Sequence, residues 1–240
     1  MKERAILLVL LLGMSACAKR AVDAPASGAA AVPSGAVLTE VSGGKQVTRI
    51  GALLDQPVVV QLNDAQGTAI PGAVLSLSGA QGVKFDPASG PTDATGQFTT
   101  LVSAPGTSGR FQLLASTTDG KVQLKVEQVA LGYEQLLGRQ LSNQYCVRCH
   151  DPESTPERVS NMDNLDPKPH AFTEGDTYNK FSDADLTAII GHGGPALNKA
   201  SSMPPFGFTL SPSEIQALTS YIRAISDPPY SDTTRVYASK

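Results

Sequence analysis

The chain of 240 residues has no tryptophan, three cysteines, three histidines and four methionines, and aromatic residues make up only 5%. Such scarcity gives each thiol and imidazole individual weight. Three cysteines cannot build the multi-bridge framework that stabilises small secreted folds. No apolar run is long: the best, residues 5–12, has eight residues, well short of the roughly 20 that a membrane-crossing helix needs. A basic excess is also missing. The formal net charge is -3, and residues 133–240 hold 9 Lys/Arg against 13 Asp/Glu, 9 - 13 = -4. That argues against a nucleic-acid partner, whose phosphates demand a basic face. It also implies that a partner steered by charge is neutral or basic where it docks.

Two of the cysteines lie in Cys146-Val147-Arg148-Cys149-His150, a C-x-x-C-H run that reads as a covalent attachment site for haem. Two thiols add across the two vinyl groups, two spacers set their separation, and the adjacent histidine ligates iron. A zinc site would need a second such pair, which the sequence lacks. A thioredoxin-like dithiol leaves the histidine unexplained, and the strand and helix pattern expected around one is missing. The stretch resembles a class I cytochrome c. That resemblance implies one haem c, bound through Cys146 and Cys149, with His150 as an axial ligand.

The third cysteine, Cys17, follows Lys2, Arg4, the apolar run and small residues, the three regions of a secretory signal over 1–16. Leu12-Gly13-Met14-Ser15-Ala16-Cys17 resembles a bacterial lipobox, although Met14 replaces the usual leucine. The resemblance implies cleavage before Cys17, acylation of its side chain and a periplasmic protein anchored to a membrane. Ala18 at the next position favours the outer membrane. Residues 17–36, rich in Ala, Pro, Gly and Ser, read as a flexible linker, with a mean reach of roughly 25 Å if about twenty residues behave as coil.

From 37 to 130, short segments of alternating polarity recur between turn signals. They include 58–62, 74–77, 98–102, 111–113 and 122–126. Seven or so strands in this length suggest an all-β, two-sheet sandwich. The sequences around Asp64, Ile70-Pro71-Gly72 and Asp93 resemble bacterial immunoglobulin-like domains of the invasin type, which implies a spacer or an adhesion module. Asp64, Asp86, Asp93 and Asp119 sit in turn sequences and are read as turn formers rather than calcium ligands.

Residues 131–227 read as an all-α cytochrome c domain, followed by a tail over 228–240. An amphipathic helix is expected over 133–145, with Leu137 and Leu141 at helical spacing. Ser182 with Asp185, and Ser211 with Pro212 and Glu214, are helix-start signals. The resemblance implies that the first and last helices cross with Gly138 against Tyr221. It also points to Met203, in Met203-Pro204-Pro205, as the second iron ligand beside His150. Met162, His170 and His192 are the alternatives, and Arg158 and Lys168 are candidates to meet a haem propionate.

The function implied is one-electron transfer by a membrane-tethered periplasmic cytochrome with redox protein partners. Two other readings stay open: a haem subunit of a redox enzyme with open or bis-histidine iron, and a surface-binding protein acting through its sandwich. Because the cytochrome resemblance begins only after Val129, the sandwich is expected to be separable from it.

Overall fold

The computed structural model describes residues 28–153 and 160–231. Cys17, the signal segment and Arg158 lie outside the described residues.

Alternation of apolar and polar residues drives the first half into a sandwich of two sheets. One sheet has the order β1 (Val37–Ser42), β3 (Val58–Asn63), β7 (Gln97–Ser103), β5 (Lys84–Asp86). The other runs β2 (Val47–Arg49), β9 (Gln123–Leu131), β8 (Gly109–Thr117), β4 (Val74–Gly79), β6 (Ser89–Pro91). Lettered A to G, these are an ABED sheet against a CFG sheet, with a short extra strand at each edge of the second. This is the immunoglobulin-like arrangement. Nine strands form where about seven were expected, because β2, β5 and β6 are three-residue pieces too short to show a period. The inner face is read straight from the alternation: Val58, Val60 and Leu62 on β3, and Phe111, Leu113 and Ala115 on β8, are all buried in one core.

Three of the four aspartates are occupied by their own turns, whereas Asp86 ends strand β5. Asp64 Oδ1 accepts from the Gln66 and Thr68 amides at 2.9 and 2.8 Å. Asp93 Oδ1 accepts from the Thr95 and Gln97 amides at 2.8 and 3.0 Å, and Asp119 Oδ1 from the Thr117 hydroxyl at 2.7 Å. The expected flexible linker differs from the structure at its end. Ala30, Val32 and Ala36 pack on the sandwich core, and the Ala30 amide donates to the Gly72 carbonyl at 2.9 Å. A few small apolar residues suffice there because the sheet already supplies the other side of the contact.

The second half carries α1 (Tyr133–Tyr145), α2 (Gly175–Tyr178), α3 (Asp183–His192) and α4 (Pro212–Ile225). Reciprocal capping boxes start α3 (Ser182 with Asp185) and α4 (Ser211 with Glu214, and Pro212 in the first turn). Such a cap satisfies amides that would otherwise be orphaned at a helix start. The pair α1 and α4 crosses at Gly138: a Cβ there would lie 2.0 Å from the Ala217 carbonyl oxygen and 2.7 Å from the Tyr221 Cβ. Only glycine lets the two backbones approach so closely.

The two halves share a strand. On β9, Val126 and Ala130 are buried in the sandwich core, whereas Val129 and Leu131 belong to the helical core with Ile222 and Ile225. Val47 of β2, the parallel neighbour of Val129, joins that helical core. The expected separability of the sandwich therefore meets a physical obstacle: two of its strands supply a wall of the helical core.

Candidate haem-binding site

Helix α1 ends as its last turn delivers the cysteine motif. The amides of Cys146 and Val147 donate to the Ser142 carbonyl at 2.8 and 3.0 Å, and the His150 amide donates to the Cys146 carbonyl at 2.9 Å. Cys146, Cys149, His150 and Met203 all line one cavity of about 1020 Å³. Its walls are mainly apolar, with Leu186, Ile190, Phe206, Leu218 and Ile222 contributed by α3, α4 and the loop between them. Its volume stands at the upper end of the range for small-molecule sites.

His150 is oriented by three groups. Its Nδ1 lies 2.6 Å from the His170 carbonyl oxygen; a carbonyl only accepts, so Nδ1 carries the proton and Nε2 keeps its lone pair for a metal. Phe172 stacks on the imidazole, with ring centroids 4.5 Å apart and 14° between planes. The Tyr178 hydroxyl donates to the same His170 carbonyl at 3.1 Å. Burial, the main cause, lowers the His150 pKa and favours the neutral imidazole that a metal requires.

No disulfide joins Cys146 and Cys149. Burial, with help from Cys149, pushes the Cys146 thiol up to about 12.

Met203 is held by backbone pairing onto the end of α3. The Gly194 amide donates to the Met203 carbonyl at 3.1 Å, the Phe206 amide to the Ile190 carbonyl at 3.0 Å, and the Gly207 amide to the Gly191 carbonyl at 2.8 Å. Gly193 has φ +83°, and a Cβ there would sit 2.9 Å from the Met203 carbonyl oxygen, so the glycine-rich stop is what lets the loop lie down. The other candidate ligands go elsewhere. Met162 is buried at 2% exposure outside the cavity lining. His192 is exposed and outside the lining. His170 lines the cavity, but its ring pairs with Glu174 at 2.7 Å, and its carbonyl serves His150.

Arg148, Lys168 and Lys199 also line the cavity, with no carboxylate among the described lining residues. Lys168 is bonded to Asp163 at 2.5 Å. The local sign is thus opposite to the domain's net charge. Sequence reasoning passed over Phe172, Tyr178 and Glu153. The Glu153 side chain is 1% exposed, pairs with Arg139 and accepts from the Tyr221 hydroxyl, which satisfies a buried charge beside the motif. The signal that was available is scarcity: with so few aromatics, two close together in an aperiodic stretch point to a packing role.

The residues present fit a covalently held haem: two thiols at C-x-x-C spacing, a neutral imidazole with its tautomer fixed, a thioether on the lining and apolar walls. The second half is a helical cytochrome c domain behind an immunoglobulin-like sandwich. Residues 134–222 match the family model described as cytochrome c oxidase, cbb3-type, subunit III. Among solved structures, the chain is similar to the Yersinia pseudotuberculosis adhesin InvE (18% identity, TM-score 0.35, covering 41% of this chain and 33% of that one). The D00-D0 domain of intimin gives 15% identity, a TM-score of 0.34, and coverage of 42% and 50%. The KustC0563 c-type cytochrome gives 26% identity, a TM-score of 0.29, and coverage of 37% of this chain and 96% of that one. The chain thus spans a third of the length of the first of these structures and half of the second. Among curated proteins, no match was found.

Proposed function

We propose that the chain is an exported, lipid-anchored electron carrier, its single haem bound through Cys146 and Cys149 and its iron ligated by His150 and Met203. Haem supplies a one-electron couple when bound. The protein's own residues fix where and how it sits. Cys146 and Cys149 make the attachment permanent, and the His170 carbonyl holds the His150 proton on Nδ1. The thioether of Met203, a soft ligand, favours the ferrous state and keeps other ligands out. The apolar walls exclude water. Arg148 and Lys199 suit carboxylates at the cavity mouth, those of haem itself or of an acidic partner face.

The observation that carries this reading is the convergence of Cys146, Cys149, His150 and Met203 on one apolar cavity. Export and the anchor rest on residues 1–17, and they accord with haem attachment, which belongs outside the cytoplasm. Acidic acetone applied to the exported protein tests the attachment. The pigment is expected to stay on the chain, and a variant lacking both Cys146 and Cys149 should give colourless protein. Pigment extracted from the native chain would contradict covalent binding.

A further inference from the structure

The stretch that supports His150 has little rigidity of its own. Between residues 160 and 181 the described secondary structure is a three-residue 3-10 turn, Met162–Asn164, and the single turn of α2. Its hold must come from outside, and the contacts show where. The Asp227 amide donates to the Thr173 carbonyl at 2.9 Å, and the Gly175 amide donates back to the Asp227 carbonyl at 3.0 Å. Gly175 approaches so closely that a Cβ there would lie 2.3 Å from the Pro228 carbonyl oxygen. Asn179 donates to that same oxygen at 2.9 Å.

The strip after α4 is itself pinned from the sandwich. Arg110 of β8, its side chain 18% exposed, donates to the Ile225 carbonyl at 3.3 Å, lies 3.6 Å from an Asp227 carboxylate oxygen, and pairs with Glu127 of β9. An isolated surface ion pair would contribute little. Here a planar guanidinium donates to a helix-terminal carbonyl and to Glu127 and lies at ion-pair distance from Asp227, a fork geometry that arginine provides and lysine does not.

We propose that Arg110 is a positioning residue for the haem site: through Asp227 it fixes residues 170–178, and through them the hydrogen bond on His150. The sandwich then acts as a part of the redox centre as well as a spacer. This rests on the reading that His150 ligates haem iron. Spatial continuity is not coupling in itself, so the test measures coupling.

In the full-length reduced holoprotein, exchange of the His150 Nδ1 proton with solvent is followed by nuclear magnetic resonance, with the Leu218 and Ile222 amides as an internal reference. Arg110→Met should speed the Nδ1 exchange about tenfold, as the loss of one charge-assisted hydrogen bond allows, with the reference amides unchanged. Arg110→Lys should restore part of the protection, and Glu127→Gln should change it little. Asp227→Asn should speed exchange too, and combining it with Arg110→Met should add less than the sum. An unchanged Nδ1 rate in Arg110→Met overturns the proposal, and so does equal acceleration of the reference amides, which reports global loosening. A wild-type chain without covalent haem overturns the reading beneath it, and is seen before any exchange is measured.

Discussion

Val129 and Ala130, neighbours on β9, are buried in different cores: Ala130 in the sandwich, Val129 among the helices. A strand covered on both faces joins two units more firmly than a linker does. Leu131, fully buried on the helical side, is the most direct probe of that join. Leu131→Ala should destabilise the helical half by about 2–5 kcal/mol, the usual cost of removing a buried leucine side chain. A fragment from Gly132 onward should melt well below the full chain. Identical melting of the haem absorbance in fragment and full chain would show that the strand contributes nothing.

Gly138→Ala sets two effects against each other. Alanine is better than glycine inside a helix by about 1 kcal/mol. Its methyl group, however, would lie 2.0 Å from the Ala217 carbonyl oxygen, and overpacking of this kind costs about 1–3 kcal/mol. The contact is with backbone that cannot swing aside, so the net effect should be destabilising in chemical denaturation. A stabilised variant would mean that α1 and α4 do not cross there.

Acid should weaken the pairing of β8 with β9 at the sandwich side of the join. The Arg110 hydrogen bond holds the Glu127 pKa below its ordinary value, against a smaller opposing effect of burial. A carboxylate whose folded pKa is depressed stabilises the fold above its unfolded pKa, about 4.3. That contribution is lost as pH falls through the folded pKa. Glu127 is more than a third exposed, so the effect should stay within about 1 kcal/mol. Thermal melting from pH 5 downward should fall more steeply in the native chain than in Glu127→Gln. Parallel slopes would remove the ion pair from the account.

Cys17→Ser should release the holoprotein from membranes. A single acyl chain binds only marginally, at about 0.8 kcal/mol per buried methylene, while the two or three on a lipoprotein anchor it stably. Unchanged partition into the membrane fraction would locate the anchor elsewhere.

Much of this was legible because local chemistry demanded it. Ser182 with Asp185 and Ser211 with Glu214 announce α3 and α4, since an unsatisfied helix start is costly wherever it sits in the fold. The haem motif is legible because two of only three cysteines stand at C-x-x-C spacing with a histidine directly after the second. The role of β9 was harder to read, though a trace exists. Its alternation breaks at Val129-Ala130-Leu131, and three apolar residues in a row are the pattern of a strand buried on both faces. The support of His150 left little trace beyond two scarce aromatics, Phe172 and Tyr178, close together in an aperiodic stretch. A backbone carbonyl from residue 170, a stacked ring from 172 and a hydroxyl from 178 come together through turns that have no period, and the stretch is tied to Arg223 and Asp227, some fifty residues further along the chain.

The central claim, that Met203 and His150 would both ligate the haem iron, is tested most directly by the weak far-red absorption band that thioether sulfur gives to ferric low-spin haem. The oxidised native protein should show the band. Met203→Ala should lose it and bind cyanide readily while keeping its covalent haem, and Met162→Ala should leave it unchanged. A band that survives the loss of Met203, or that vanishes with Met162, would contradict the assignment. A native protein without the band would favour an open or histidine-ligated iron, and with it an enzymatic role.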